Sequence, residues 1–136
     1  MREINSEKIN PVIRTLLSYA TAEDKVEAEY KKYLEMNSRK LYALEMKGSY
    51  VGCMGLEVIE PTIGVIKHIA VLPSERGKGV GRKMLNFIMK HHSFNLLCAE
   101  TDNEAVAFYR NCGFTVKSLG EKYVGVERFL CEFRMK

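Results

Sequence analysis

Arg76-Gly77-Lys78-Gly79-Val80-Gly81 is the stretch of sequence that says most about how this chain folds. An apolar run from Ile63 to Leu72 precedes it, and a helical spacing of apolar residues from Val80 to Ile88 follows it. A glycine-rich turn between a strand and a helix directs backbone N–H groups outward, and the helix dipole favours negative charge there. The stretch therefore predicts a site for an anionic group; a glycine turn with solvated charges is the alternative.

Four cations crowd this turn, namely Arg76, Lys78, Arg82 and Lys83. They lie at the positive end of the predicted helix, where each costs about 0.3–1 kcal/mol. Glu75 offsets part of that cost. A bound polyanion would convert the rest into attraction, so the charges also indicate phosphate binding.

Two common phosphate-binding motifs do not match this turn. A P-loop needs Ser or Thr after Gly-Lys, but Gly79 follows Lys78, so no hydroxyl is available for magnesium. The dinucleotide fingerprint needs a third glycine where this chain has Arg82. The run fits the pattern R-x-x-G-x-G instead.

Two blocks of sequence resemble the GNAT family of N-acetyltransferases. The stretch from Ile69 to Gly81 is similar to that family's acetyl-CoA-binding signature. The stretch from Glu100 to Phe114, with Asn103 and the pair Phe108-Tyr109, resembles its N-x-A-x-x-F-Y-x-x-x-G-F segment. Both blocks occur in the family's order and spacing, over roughly residues 62 to 116.

The composition is that of an ordinary globular protein. The chain has 136 residues, of which 46% are hydrophobic and 28% charged, which predicts one domain over residues 1–136. The net charge of +4 is mild and no block of five like charges occurs, so we expect no nucleic-acid partner.

Neither a metal nor a membrane is indicated by the sequence. The four cysteines, Cys53, Cys98, Cys112 and Cys131, form no C-x-x-C pair, and we expect free thiols. No apolar stretch approaches the roughly 18 residues of a membrane span, and the N-terminus lacks a signal region. These features predict a cytoplasmic protein without a membrane partner.

Hydrophobic periodicity predicts an α/β fold with helices on both faces of a mixed sheet. The resemblance implies that this central sheet is mostly antiparallel. The predicted order is two helices, three strands, a helix, a strand, a helix and a strand, at residues 6–19, 21–36, 40–46, 50–59, 63–72, 80–92, 94–99, 101–111 and 126–135.

The resemblance implies an enzyme that transfers an acetyl group from acetyl-CoA to a primary amine, directly and in a ternary complex. The acceptor would be a small molecule or a peptide. In this family the pyrophosphate lies on the glycine loop and the pantetheine arm adds to a strand edge. The positions of this chain that the resemblance assigns to the cofactor are Ile69, Val71, Arg76, Gly77, Lys78, Gly79, Val80, Gly81, Arg82, Asn103, Phe108 and Tyr109.

Tyr109 is the candidate general acid. A phenol, with its usual pKa near 10, is protonated at neutral pH and can give a proton to a leaving thiolate. The alternative is a half-buried helix tyrosine with a satisfied hydroxyl. Asn103 would cap the helix that follows it, hydrogen-bond the cofactor arm, or do both.

The general base is less defined by the sequence. Glu57 is a carboxylate in an otherwise apolar strand, which calls for a partner, a function or exposure at a strand end. His68, beside the first block, has a suitable intrinsic pKa, with a hydrogen-bonded histidine inside the sheet as the alternative. A chain of water molecules is a third option.

Two other classes of function are compatible with parts of the sequence. One is a domain that binds acyl-CoA without turnover, as a sensor or an interaction module. The other is a different nucleotide- or phosphate-binding domain. The acceptor is not readable from the sequence, although Glu23, Asp24, Glu27 and Glu29 could attract a cation. A monomer and a homodimer are both compatible with the chain.

Overall fold

Seven strands form one sheet in the computed structural model, which describes residues 1–135. Lys136, the last residue of the predicted domain, lies outside the described residues. The strands are β1 (Arg2–Glu3), β2 (Arg39–Met46), β3 (Ser49–Glu60), β4 (Ile63–Val71), β5 (Leu96–Thr101), β6 (Thr115–Tyr123) and β7 (Val126–Arg134). The helices are α1 (Pro11–Ala20), α2 (Val26–Glu35), α3 (Val80–His91) and α4 (Val106–Asn111).

The strand order in the sheet is β1-β2-β3-β4-β5-β7-β6. Only β4 and β5 run parallel, because α3 carries the chain back between them. All other neighbours are antiparallel. The predicted fold class, a mixed and mostly antiparallel sheet with helices on both faces, is confirmed.

Each face of the sheet has its own apolar core. Helices α3 and α4 pack on one face, over buried residues such as Met54, Leu56 and Leu97. Helices α1 and α2 pack on the other face, over Leu41 and Cys53. Successive strand residues point to opposite faces, which explains why β3 is apolar almost throughout. No helix within residues 1–135 has the length and hydropathy to cross a membrane.

The first two helices begin later than their sequence predicted. The prediction placed the start of α1 at residue 6, but Asn10 is its N-cap, with its side-chain oxygen accepting from the N–H groups of Val12 and Ile13. Pro11 is the first helical residue, and it disfavours helical backbone in the residue before it. The predicted start of α2 at residue 21 is wrong, because Glu23–Lys25 form a separate 3-10 turn.

Two strands were not predicted, β1 and β6. Strand β1 has only two residues. Strand β6 is the edge of the sheet and is exposed along nearly its whole length, so it lacks the alternation that marks a half-buried strand. It forms a hairpin with β7, whose tight turn contains Gly125 at φ 76°.

Candidate active site

The parallel pair β4 and β5 separates halfway along its length. The last paired residues are Ile66 and Ala99, yet β4 continues to Val71 along β3. Lys67 explains the separation: it is an extra residue in β4, because Gly55 of β3 pairs with His68 and the next residue pairs with Ile66. Such a bulge bends and twists its strand. The split leaves one edge of β4 without a strand partner.

The unpaired edge of β4 presents backbone groups at alternate residues. The carbonyl of Val71 accepts a hydrogen bond from Nε of Arg76, at 3.0 Å, so it points away from β3. Residues two apart in a strand present their backbone groups to the same side. Ile69 therefore also directs its N–H and C=O toward the split, and both predicted positions lie where an extended ligand could add as a strand.

The glycine loop continues directly from this edge. Gly77 and Gly79 have φ values of 77° and 81°, which L side chains rarely adopt, and a Cβ on either would face open space. Gly79 is the N-cap of α3. None of the six backbone N–H groups from Gly77 to Arg82 donates to an acceptor in residues 1–135. The loop and the first turn of α3 thus form a concave row of free donors.

Two arginines of the loop region are held in place by other elements. Arg76 lies over the ring of Tyr19, with 5.3 Å from its guanidinium carbon to the ring centroid. Arg82 donates through Nη2 to the carbonyl of Asn111, at 2.9 Å, at the end of α4. Their positions are therefore set before any ligand arrives, which lowers the entropy lost on binding.

A groove of about 780 Å³ runs along the split and the loop. Nine of the twelve predicted cofactor positions line it: Ile69, Val71, Arg76, Gly77, Gly79, Val80, Gly81, Arg82 and Phe108. Tyr109 lines a second, adjoining cavity, whereas Lys78 and Asn103 line neither. Lys78 instead lies 3.6 Å from the carboxylate of Glu75.

Helices α3 and α4 meet at a close contact inside this groove. A Cβ on Gly81 would lie 2.7 Å from the ring of Phe108, closer than real Cβ atoms approach. The glycine is therefore needed here for packing rather than for its backbone angles. The contact joins the first turn of α3 to the second sequence block.

Tyr109 lines the adjoining cavity, which has a volume of about 210 Å³. The residue is 3% exposed, and its hydroxyl has no hydrogen-bond partner among residues 1–135. Burial raises the pKa of Tyr109 above its ordinary value of 10, so the phenol carries its proton throughout the neutral range. A buried phenol without a partner is available to donate to a ligand.

The turn before α4 is capped by a different residue from the one predicted. Oδ1 of Asp102 accepts from the N–H groups of Glu104 and Ala105, at 3.0 and 3.2 Å. Asn103 is exposed and makes no such bond. The predicted capping role of Asn103 is therefore wrong, since the cap lies one residue earlier and the side chain of Asp102 is the one that folds back.

His68 is engaged on both ring nitrogens. Its Nδ1 lies 2.5 Å from the hydroxyl of Tyr33, and its Nε2 lies 3.5 Å from Oε1 of Glu29. Burial lowers the pKa of His68 to about 4 and raises that of Tyr33 above its usual value. The phenol therefore keeps its proton and donates to Nδ1, and Nε2–H faces the carboxylate. This is the predicted alternative, a hydrogen-bonded histidine within the sheet.

Glu57 lies away from both cavities. Its carboxylate is 3.6 Å from Nζ of Lys67 and 4.0 Å from Nε of Arg39. Arg39 also contacts Glu29, so the two carboxylates and three cations near α2 form one ionic cluster. The structure thus supplies a partner for Glu57, one of the explanations that the sequence allowed, and does not bring it to Tyr109.

Several residues at the site were missed by the sequence analysis. Tyr19 and Asp102 line both cavities, and Lys67 and Arg128 line the smaller one. Tyr19 and Arg128 come from α1 and the β6–β7 hairpin, far from the two blocks in sequence. No local pattern could have linked them; only the sheet order does.

Comparison with known proteins assigns the chain to a family. A family model described as an acetyltransferase (GNAT) domain matches residues 37–116. The chain therefore belongs to the GNAT acetyltransferase family, and the resemblance seen in its sequence is confirmed. No curated protein matches the chain significantly in sequence.

Solved structures share the fold over almost the whole chain. One is a GNAT-family protein from Desulfovibrio desulfuricans, with 18% identity, a TM-score of 0.83, and 98% of this chain and 96% of that one covered. An aminoglycoside 6′-N-acetyltransferase in complex with coenzyme A has 15% identity, a TM-score of 0.78 and coverages of 98% and 97%. A GNAT-family acetyltransferase from Elizabethkingia anophelis with acetyl-CoA bound has 18% identity, a TM-score of 0.75 and coverages of 98% and 96%.

Proposed function

We propose that this protein is an N-acetyltransferase that uses acetyl-CoA to acetylate a primary amine. The observation that carries the proposal is the continuous path from the row of free N–H groups, along the unpaired edge of β4, to the unpartnered hydroxyl of Tyr109. Similar structures support the choice of ligand and accepting atom, since two hold coenzyme A or acetyl-CoA and one is named an aminoglycoside N-acetyltransferase.

The groove fits the parts of acetyl-CoA in order. Free backbone N–H groups from Gly77 to Arg82 suit the pyrophosphate, and Arg76 adds charge beside them. The pantetheine amides can pair with the backbone groups of Ile69 and Val71, as an added strand would. A volume of about 780 Å³ lies within the range of ligand pockets.

Acetyl-CoA supplies a thioester whose acetyl group an amine can attack. The split in the sheet orients this group, because the donors on β4 fix the arm that carries it. An N–H on the same edge would stabilise negative charge developing on the carbonyl oxygen. Such a donor is worth more at the buried end of the path, beside Tyr109, than at the surface, because the effective dielectric constant is lower there.

Tyr109 is proposed as the general acid. Its proton is held at the phenol oxygen by burial and is available to the sulfur as the thiolate leaves. Burial that raises the pKa of the phenol also raises that of a thiol beside it, so the proton transfer stays feasible in the same apolar surroundings.

The acceptor amine loses its proton to water in this proposal. Neither candidate base offers a free acceptor in the cavity, since Nδ1 of His68 accepts from Tyr33 and Nε2 carries its proton, and Glu57 pairs with Lys67 and lines neither cavity. The polar lining of the smaller cavity, which includes Glu100 and Asp102, suits ordered water.

Calorimetric titration with acetyl-CoA, free CoA and ATP tests the cofactor, and CoA release with a panel of primary amines tests the reaction. We expect acetyl-CoA and free CoA to bind and ATP not to bind. We also expect at least one amine to gain an acetyl group with release of CoA. Absence of binding by acetyl-CoA and CoA would overturn the proposal.

A non-catalytic acyl-CoA-binding domain is the second candidate, and the lack of a free side-chain base near Tyr109 is the observation that favours it. The two candidates differ in one result. A binding domain retains acetyl-CoA affinity but yields no acetylated product with any amine.

A further inference from the structure

The smaller cavity extends to a part of the sheet that no helix covers. Helices α1 and α2 pack over β2, β3 and β4. Cys131 and Ala99 point into the opposite core, under α3 and α4, so Glu100 and Arg128 project to the face that α1 and α2 leave open. An acceptor on this side would meet the charges of β5 and of the β6–β7 hairpin.

The two acidic groups lining this cavity are already engaged. The carboxylate of Glu100 accepts from Nζ of Lys122 at 2.8 Å and from Nε of Arg128 at 3.3 Å. The hydrogen bond from Lys122 contributes most to lowering the pKa of Glu100, so this carboxylate is ionised and neutralised by two cations. Oδ1 of Asp102 caps the turn before α4.

Arg128, one of the cations that line the cavity, has hydrogen-bond donors that no described residue accepts. Arg128 uses Nε and one hydrogen of Nη2 on Glu100, at its carboxylate and its carbonyl. Nη1 donates to no group in the described part of the chain, and with the second hydrogen of Nη2 it forms a two-donor edge. Lys67 lines the same cavity, 3.6 Å from its nearest carboxylate.

We infer that this cavity selects an amine acceptor that also carries a carboxylate, such as an amino acid or a peptide, and that Arg128 binds that carboxylate. This inference rests on the proposed function and names its acceptor class. A planar guanidinium with a free edge matches a carboxylate in a bidentate pair.

The acidic start of α2 does not favour a cationic acceptor. Glu27 pairs with Arg14, and Glu29 pairs with Lys32 and Arg39. These carboxylates are therefore matched by cations of the chain itself. A polyamine at Glu27 or Glu29 would have to displace those cations, and Glu23 and Asp24 line neither cavity.

Amino acids and the corresponding amino acid amides form a matched pair of probes. They share the side chain and the amine, and differ in the carboxylate charge. The amide has the less basic amine, so reactivity alone favours the amide at neutral pH. We nevertheless expect kcat/KM to be about tenfold higher for the acids than for the amides, because one hydrogen-bonded pair of charged groups contributes about that factor. Equal rates, or a preference for amides or polyamines, would overturn the inference.

Arg128→Met and Lys122→Met provide the variant and its control. Both cations contact Glu100, but only Arg128 lines the cavity. We expect Arg128→Met to raise KM for the acids about tenfold and to leave kcat for the acids and KM for the amides unchanged. Lys122→Met should keep the wild-type preference for acids over amides. An equal loss for acids and amides in Arg128→Met would assign the residue a structural role and contradict the inference.

Direct binding separates this inference from the proposed function. The complex of the protein with CoA is titrated with the acids and with their amides, so that no turnover is needed. Tighter binding of the acids by wild type but not by Arg128→Met supports the inference even if no product forms. Product formation without a charge preference supports the function and rejects the inference.

Discussion

Tyr109 combines three properties that rarely occur together in a structural tyrosine. It is buried, its hydroxyl has no partner within residues 1–135, and it lines a cavity that adjoins the groove of the glycine loop. The oxygen of Tyr109 is open to this cavity, so a ligand there can accept its hydrogen bond, which is the behaviour expected of a general acid.

Replacing Tyr109 with Phe tests this role at the level of one oxygen atom. We expect kcat to fall about 10²–10⁴-fold, the usual contribution of general acid catalysis, with acetyl-CoA affinity within about twofold of wild type. Because the hydroxyl is unpartnered, the variant should be at least as stable as wild type by urea denaturation. An unchanged kcat would remove Tyr109 from the mechanism.

The contact between α3 and α4 depends on one missing methyl group. In Gly81→Ala the new Cβ meets Phe108, and overpacking of this kind costs about 1–3 kcal/mol. The gain in helix propensity from Gly to Ala, about 1 kcal/mol, stabilises the helix but does not cancel an overpacking cost in the upper part of that range. We expect lower stability and at least about tenfold weaker acetyl-CoA binding, measured by urea denaturation and calorimetry.

A second substitution makes that prediction specific. Phe108→Leu in the Gly81→Ala background removes the ring atoms nearest to the new Cβ, so stability should recover while the propensity gain remains. Failure of the double variant to recover would mean that the loss arises elsewhere in the loop.

The capped turn before α4 allows two neighbouring residues to be compared. Asp102→Ala removes the acceptor for two N–H groups and should lower the free energy of unfolding by about 1 kcal/mol. Asn103→Ala, next to it and exposed, should change that free energy by less than about 0.5 kcal/mol. Urea denaturation measures both, and a larger effect for Asn103 would contradict the assigned cap.

At the scale of the whole molecule, the sequence predicted the groove better than the cavity beside it. The loop from Gly77 to Gly81 and the edge at Ile69 and Val71 are consecutive in the chain, so local patterns were enough. Arg128 reaches the site only because β7 lies between β5 and β6, and β6 is too exposed to show a strand pattern. Asn103 was mistaken for Asp102 because both residue types cap helices equally well.

The ionic cluster between α2 and the sheet makes the stability of the molecule depend on pH. Burial holds the pKa of His68 at about 4, below its ordinary value of 6.5. Partial burial acts to raise the pKa of Glu29, but hydrogen bonds from Lys32 and Arg39 outweigh burial and bring this pKa below its usual value. Both groups bind protons more readily in the unfolded chain. Acid therefore shifts the equilibrium toward unfolding.

The contribution of His68 is fully present above about pH 6.5 and is lost as the pH falls toward 4. A difference of that size is worth about 3 kcal/mol. His68→Asn retains an acceptor for the hydroxyl of Tyr33 but does not titrate, so its free energy of unfolding should change less between pH 7 and pH 4.5 than that of wild type. Urea denaturation at several pH values measures the two slopes. Equal slopes would mean that folding does not lower the pKa of His68, and its buried, hydrogen-bonded position would then not disfavour the protonated ring.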